Sequence, residues 1–186
     1  IIIYLTVWEK NMILYHGTTY KRARSIFKDR AIKKDCERFF TEEENGDGYS
    51  TDGYVYLTNE LTYALYFANC HHFVDKSEVL VVFRIDIPDE QVLPDYDEMR
   101  YQDPTGTDRE WYDSDLSCSL LEFKTCRINT DISFDEYTVD YFCLVVDRVK
   151  NIGELFNNAG CNYDYVTSHY TKRQKHFIQS IPWKRA

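Results

Sequence analysis

Short apolar stretches separated by polar turns predict a chain in which strands alternate with short helices. The segments 12–15, 54–58 and 78–87 read MILY, YVYLT and EVLVVFRIDI, and polar or turn-forming residues bound each of them. β-Branched and aromatic residues favour strands, and a nearly continuous apolar run is typical of a central strand buried on both faces. Pro88 is expected to end the third strand, because proline cannot donate to a ladder. The first strand is expected to end in a polar corner at residues 16–19.

Two helices are predicted to follow the first two strands. Apolar residues at helical spacing indicate one helix over 21–29 and another over 60–69. Thr19 and Asn59 precede them and are of the residue types that cap helix N-termini. Farther along the chain we expect strands over 120–128 and 137–149 and a helix over 151–160.

Two polar segments are predicted to be loops. Residues 41–53 are acidic and rich in turn formers, which is typical of a surface loop. Residues 91–117 form a longer polar stretch with two prolines, and a connection of that length is more often functional than idle. The order of elements indicates an α+β fold, with a few short helices around antiparallel sheets.

Composition and charge limit the function. The chain has 186 residues, of which 44% are hydrophobic and 16% aromatic, so it suits a folded domain and not a disordered linker. A formal net charge of -9 excludes a globally basic nucleic-acid binder. Residues 165–186 are nonetheless basic, and such a tail can either hold phosphate or form a solvated helix. We divide the chain into an N-terminal extension at 1–11, a domain at 12–164 and the basic tail.

The cysteines and the absence of long apolar runs indicate a cytoplasmic protein. None of the six cysteines forms a C-x-x-C pair, so we expect reduced thiols, several of them in the core, and no zinc site. No apolar run approaches the roughly 20 residues of a membrane span, so no membrane partner is expected. The first eleven residues lack a signal-peptide pattern, and Met12 opens a strand, which favours an upstream extension.

Four segments carry residues that resemble a known enzyme site. HGT stands at 16–18, G-Y-V-Y-L-T-N at 53–59, A-L-Y at 64–66, and Glu122 is expected at the start of a later strand. This order resembles the ADP-ribosyltransferase superfamily in its His-Tyr-Glu branch, which includes diphtheria-toxin-like enzymes and poly(ADP-ribose) polymerases. The resemblance covers residues 12–149 and implies split antiparallel β-sheets with short flanking helices.

The resemblance implies NAD as the substrate and gives each residue a role. Cleavage of the nicotinamide–ribose bond passes through a ribosyl cation, which a carboxylate stabilises. Aromatic rings can stack on the flat cationic nicotinamide, and a histidine can hold a ribose hydroxyl. Glu122, His16 and Tyr56 are thus implied to be catalytic, and NAD would be bound by His16, Gly17, Thr18, Tyr56 and Tyr66.

Several alternatives stay open at the level of sequence. Tyr54 competes with Tyr56, and Glu136 competes with Glu122, since Glu136 also precedes a strand pattern. The carboxylate could also be missing, which would leave a degenerate NAD binder. Two other groups could suggest a metal. The acidic cluster of Asp95, Asp97 and Glu98 could bind a cation, although the pattern favours a solvated face, and the side chains of His71 and His72 should diverge on a helix.

The function implied is a mono-ADP-ribosyltransferase of the bacterial toxin or phage-defence type. Its acceptor would be a macromolecule, nucleic acid or protein, and an antitoxin or inhibitor protein could silence it. One alternative is an enzyme that resembles the RNA 2'-phosphotransferases, which also use NAD. Another is a non-catalytic module that binds NAD or ADP-ribose. The chain has neither a P-loop nor a G-x-G-x-x-G motif, which excludes NAD binding of the Rossmann type.

Overall fold

The computed structural model describes residues 10–37, 50–102, 116–146 and 172–186, with the backbone alone for 172–174. The predicted helix over 151–160, residues 1–9 of the predicted extension and Cys161 lie outside these ranges. The elements are β1 (Asn11–Thr19), α1 (Tyr20–Asp29), β2 (Ala31–Ile32), β3 (Val55–Thr58), α2 (Leu61–Asp75), β4 (Val79–Pro88), β5 (Leu93–Pro94), α3 (Tyr96–Gln102), α4 (Leu116–Cys118), β6 (Thr125–Ile128), β7 (Ile132–Ser133), β8 (Thr138–Val145), α5 (Lys172–Gln179) and β9 (Lys184–Arg185).

Seven of these strands form one antiparallel sheet in the order β5-β6-β3-β1-β4-β8-β9. β2 and β7 form a separate two-stranded antiparallel sheet. This mixture of helices and antiparallel strands confirms the predicted α+β class. β1 aligns with β4 from Asn11 to Thr19 but with β3 only through Tyr15 opposite Thr58. β1 and β3 therefore separate beyond that pair.

β4 is the central strand that its apolar run predicts. Val81, Phe83 and Ile85 belong to one buried cluster, whereas Leu80 and Val82 belong to a second cluster under α2. Successive side chains point to opposite faces of a strand, so an uninterrupted apolar run matches a strand with a core on both faces.

β1 extends through the predicted polar corner. His16, Gly17 and Thr18 align with Phe83, Val82 and Val81 of β4, so they lie within the strand and not after it. The prediction failed because it weighed the polar side chains alone. A long partner strand satisfies the backbone amide and carbonyl groups whatever the side chains are.

Both helices begin within one residue of the predicted positions, but the side chains of the predicted capping residues hydrogen-bond elsewhere. The hydroxyl of Thr19 donates to the carboxylate of Asp75, and no side-chain cap closes α1. The amide of Asn59 donates to the carbonyl of Leu120 at 3.0 Å instead of capping α2. α2 also continues to Asp75, beyond the predicted end at residue 69.

The loop predicted over 91–117 contains regular structure in its described part. A 3-10 turn at Asp89–Gln91 leads into β5 and then α3, and α4 begins at Leu116. These elements are too short for hydrophobic periodicity to reveal them. Of the loop predicted over 41–53, only residues 50–53 are described, and they include a turn.

The strand predicted over 120–128 is half helical. Ser119–Phe123 forms a π-helical turn, and β6 begins only at Thr125. Leu120 and Phe123 are buried, whereas Leu121 between them is 69% exposed. Burial at a spacing of three residues suits a helical turn, because residues three apart share one face.

The C-terminal residues belong to the main sheet. Lys184 and Arg185 pair with Tyr141 and Asp140 of β8, and the Ala186 amide donates to the Val139 carbonyl at 3.0 Å. Ile181 is buried in the core cluster under α2.

The described cysteines are free thiols, as predicted, but only one of them lies in the core. Cys126 is buried, whereas Cys36 and Cys143 are exposed. Alternation along β8 turns Cys143 away from the side of the buried Phe142 and Leu144, so apolar neighbours in the sequence do not place it in the core. None of the helices described is long and apolar enough to cross a membrane.

Candidate active site

A cavity of about 790 Å³ opens where β1 and β3 separate. Its volume lies within the range of small-molecule sites. Residues from β1, α1, β3, α2 and α3 line it. They include five of the six residues that the resemblance to ADP-ribosyltransferases singles out: His16, Gly17, Thr18, Tyr56 and Tyr66. Residues up to 50 positions apart in the sequence thus line the same cavity.

His16 spans the gap between β1 and β3. Its Nδ1 lies 3.0 Å from the backbone carbonyl of Tyr56. A carbonyl only accepts, so Nδ1 carries the proton. Burial lowers the pKa of His16, and the ring is therefore neutral near pH 7. A neutral ring protonated at Nδ1 leaves Nε2 as an acceptor for a hydroxyl group.

Gly17 is where α2 packs directly on β1. A Cβ atom at Gly17 would lie 1.7 Å from the backbone carbonyl oxygen of Ala64. Only glycine therefore allows the two backbones to approach this closely. This packing gives Gly17 a structural reason in addition to the ligand contact that the resemblance implies.

Thr18 contacts the helix that follows β3. Its Oγ1 lies 3.4 Å from Nδ1 of His71, which also lines the cavity. Burial, followed by the charge of Arg22, lowers the pKa of His71 to about 3. Neighbouring His72 instead donates to the Ser77 carbonyl at 2.6 Å, so the two histidines diverge as predicted.

The hydroxyl of Tyr56 lies within a buried polar network. It contacts the carboxylate of Asp97 and lies 2.9 Å from the Thr51 carbonyl. Burial and the hydrogen bond to Asp97 raise the pKa of Tyr56 well above its ordinary value. Arg127 lies 3.2 Å from the same Asp97 oxygen and balances its charge. The hydrogen bonds of the Tyr56 hydroxyl therefore fix the orientation of its ring.

Tyr54, the rival of Tyr56, has a different neighbour. The guanidinium of Arg127 lies 4.0 Å from the centroid of the Tyr54 ring, which is a cation–π contact. Both tyrosines line the cavity. The two tyrosines therefore differ in their contacts: Arg127 packs on the ring of Tyr54, whereas the hydroxyl of Tyr56 hydrogen-bonds to Asp97.

Tyr66 presents an aromatic ring at the cavity wall. It is 41% exposed, and its ring meets that of Phe67 edge to face at 5.4 Å. Burial raises the pKa of Tyr66 to about 12, with Cys70 and Glu98 contributing. A partly exposed ring of this kind can stack on a flat ligand without first losing a core contact.

Neither candidate glutamate lies among the residues that line the cavity. Glu122 is exposed on the π-helical turn before β6, and Glu136 is exposed in the turn between β7 and β8. The structure therefore brings together the histidine, glycine, threonine and tyrosine residues, but not the expected carboxylate.

Sequence reasoning undervalued the acidic residues at 95–98. Asp95 is 3% and Asp97 9% exposed, so they do not form a solvated face. Asp95, Asp97 and Glu98 all line the cavity, and Asp97 contacts Tyr56 there. Their spacing in the sequence does not indicate this placement. Among the residues described, no three histidine, cysteine or acidic side chains gather into a group that could hold a metal ion.

The chain matches no protein-family model, no curated protein and no solved structure.

Proposed function

We propose that the protein cleaves the nicotinamide–ribose bond of NAD and transfers ADP-ribose to a macromolecular acceptor. One observation carries the proposal: five residues that the ADP-ribosyltransferase resemblance selects from three separate segments line a single cavity. If the short motifs matched the family only by chance, their residues would not be expected to line the same cavity.

The chemistry of the lining suits a dinucleotide with a cationic ring. The rings of Tyr56 and Tyr66 offer aromatic faces to nicotinamide, and Nε2 of His16 can accept a hydrogen bond from a ribose hydroxyl. Lys21 and Arg22 of α1 also line the cavity, although both contact Asp75. They supply positive charge for the pyrophosphate.

In the proposed reaction the C1'–N bond of NAD breaks and its electron pair leaves with nicotinamide. A lone pair of the acceptor then forms the new bond to C1', and the acceptor releases one proton. Without an acceptor, water takes its place and gives free ADP-ribose. NAD is therefore a substrate that is consumed and not a cofactor that is recycled.

The first test is incubation of the protein with NAD labelled in its adenylate part and a cell lysate. One half of the products is treated with nuclease and the other with protease. Label that nuclease removes identifies a nucleic-acid acceptor, and label that protease removes identifies a protein acceptor. Intact NAD and no labelled product would contradict the proposal.

The position of Glu122 favours one second candidate, a module that binds NAD or ADP-ribose without cleaving it. A site without the catalytic carboxylate would still bind NAD but would not cleave its nicotinamide–ribose bond. Calorimetric titration with NAD, run beside an assay for released nicotinamide, separates the two functions. Binding without release supports the module, and release supports the transferase.

A further inference from the structure

The proposed cleavage needs a negative charge beside the ribose, and the cavity contains candidates for it that the resemblance does not name. Asp95 immediately precedes α3, Asp97 and Glu98 lie in its first turn, and all three line the cavity together with Tyr56 and Tyr66. Their hydrogen bonds decide which of the three can serve a ligand.

Asp97 already has its oxygens occupied. It accepts hydrogen bonds from the Thr51 amide at 2.8 Å and the Thr51 hydroxyl at 2.9 Å, and it also contacts Tyr56. Arg127 lies 3.2 Å from one of its oxygens. A substrate hydroxyl could reach this carboxylate only by breaking the network that holds the Tyr56 ring.

Asp95 is a poor source of negative charge. It is 3% exposed, and its Oδ1 accepts the Glu98 backbone amide at 3.1 Å, as at the start of a helix. Burial raises the pKa of Asp95 to about 7, so much of it is uncharged at neutral pH.

Glu98 retains an oxygen that can face a ligand. Its side chain is partly exposed, and the Gln102 amide donates to its Oε1. Within the described part of the chain, its Oε2 accepts no side-chain hydrogen bond that would compete with a substrate. Burial raises the pKa of Glu98, and Glu98 is in turn one of the charges that raise the pKa of Tyr66. The carboxylate and the ring that offers a stacking face therefore line the same cavity.

We propose that Glu98 is the catalytic carboxylate of this cavity, in place of Glu122. The assignment rests on the proposed NAD cleavage. As the C1'–N bond breaks and nicotinamide leaves with its electron pair, positive charge grows on C1' and the ring oxygen of the ribose. The Glu98 carboxylate stabilises that charge until an acceptor or water bonds to C1' and loses a proton. The carboxylate itself is unchanged at the end.

The experiment compares Glu98→Gln, Glu122→Gln and the control Glu90→Gln, whose side chain is exposed and lies outside the cavity. Nicotinamide release, the dissociation constant for NAD and the melting temperature are measured for each. Glu98→Gln is expected to slow release about 10²–10³-fold while still binding NAD, since only charge stabilisation in the transition state is lost. Glu90→Gln should match the wild type.

Rescue gives a second readout that a structural role would not produce. Formate is a small carboxylate that can enter the space left in Glu98→Ala, and it should restore nicotinamide release in that variant. Full activity in Glu98→Gln together with loss in Glu122→Gln would overturn the assignment. A wild-type protein that releases no nicotinamide would overturn the proposed function itself, so the two failures are distinguishable.

Discussion

His16 owes its protonation state to partners that are distant in the sequence. The Tyr56 carbonyl fixes the proton on Nδ1, and burial keeps the ring uncharged. The HGT motif places a histidine at this point of the chain but gives neither its tautomer nor its pKa. Both follow from β3 lying beside β1, because a hydrogen bond and a loss of solvent need a partner in space.

Tyr66 allows a clean test of stacking, because its ring is partly exposed and its loss leaves no buried gap. Tyr66→Ala should weaken NAD binding by about 1 kcal/mol or more, the contribution of an aromatic contact. Titration calorimetry measures the change. Tyr20→Ala is the matched control, since Tyr20 is 47% exposed and lies outside the cavity. Equal affinities in both variants would remove Tyr66 from the site.

Asp95 should leave a signature in the pH dependence of stability. Its folded-state pKa is about 7, above its ordinary 3.8, so between pH 4 and 7 the folded chain keeps a proton that the unfolded chain has released. Stability contributed by Asp95 therefore falls as pH rises through this window. Asp95→Asn should gain stability relative to the wild type from pH 4 to pH 7, by up to about 4 kcal/mol.

The comparison with the wild type is essential, because His71 acts in the opposite direction. Its pKa is lowered to about 3 from 6.5, so its contribution to stability rises with pH between those values. Urea unfolding of both proteins at each pH cancels the His71 contribution. A difference in unfolding free energy that stays constant with pH would contradict the raised pKa of Asp95.

At the scale of elements, β1 and α2 together supply four of the five predicted site residues that line the cavity. β1 supplies residues 16–18, and α2 supplies Tyr66 and His71 to the same cavity. The first five residues of α2, Leu61 to Leu65, are all buried, so the start of this helix has no solvent-exposed face. Such a helix must lie against the sheet, and its backbone lies directly against β1 at Gly17.

Gly17→Ala should separate these two elements. The added methyl group would meet the Ala64 carbonyl, so α2 must shift, and we expect a loss of about 1–3 kcal/mol in unfolding free energy. Chemical denaturation followed by circular dichroism measures it. Gly53→Asn is the comparison, because nothing lies within 4 Å of its added Cβ and only the strain of a side chain at a φ of 83° lowers its stability, which should cost less than the clash at Gly17. Equal stability of both variants would contradict this packing.

At the scale of the whole molecule, the C-terminal segment packs against the second buried cluster, the one under α2. The Trp183 ring lies 5.0 Å from that of Phe142 and 6.1 Å from that of Tyr15, and the Arg84 guanidinium lies 4.5 Å from it. Lys184 and Arg185 of the basic segment therefore follow directly after a tryptophan that packs against other aromatic rings. Tyr15 also lines the cavity, so Trp183 lies next to a residue of the site.

Trp183→Ala should destabilise the protein by about 2–3 kcal/mol, less than a fully buried tryptophan, because Trp183 is only partly buried. Lys184→Ala, an exposed change at the next position, should have little effect. Thermal and urea unfolding of the two variants test the difference. If Trp183→Ala unfolds like the wild type, Trp183 does not stabilise the second buried cluster under α2.

The sequence by itself determined the α+β class, the central strand β4, the starts of the first two helices and the residues that meet at the cavity from β1, β3 and α2. These depend on local periodicity and on short motifs, which a linear pattern records. Only the tertiary structure decided that HGT lies inside a strand, that Glu122 stands on an exposed turn, and that Asp95 and Asp97 are buried. Burial, strand pairing and pKa depend on neighbours brought together by folding, and spacing along the chain does not encode these distances.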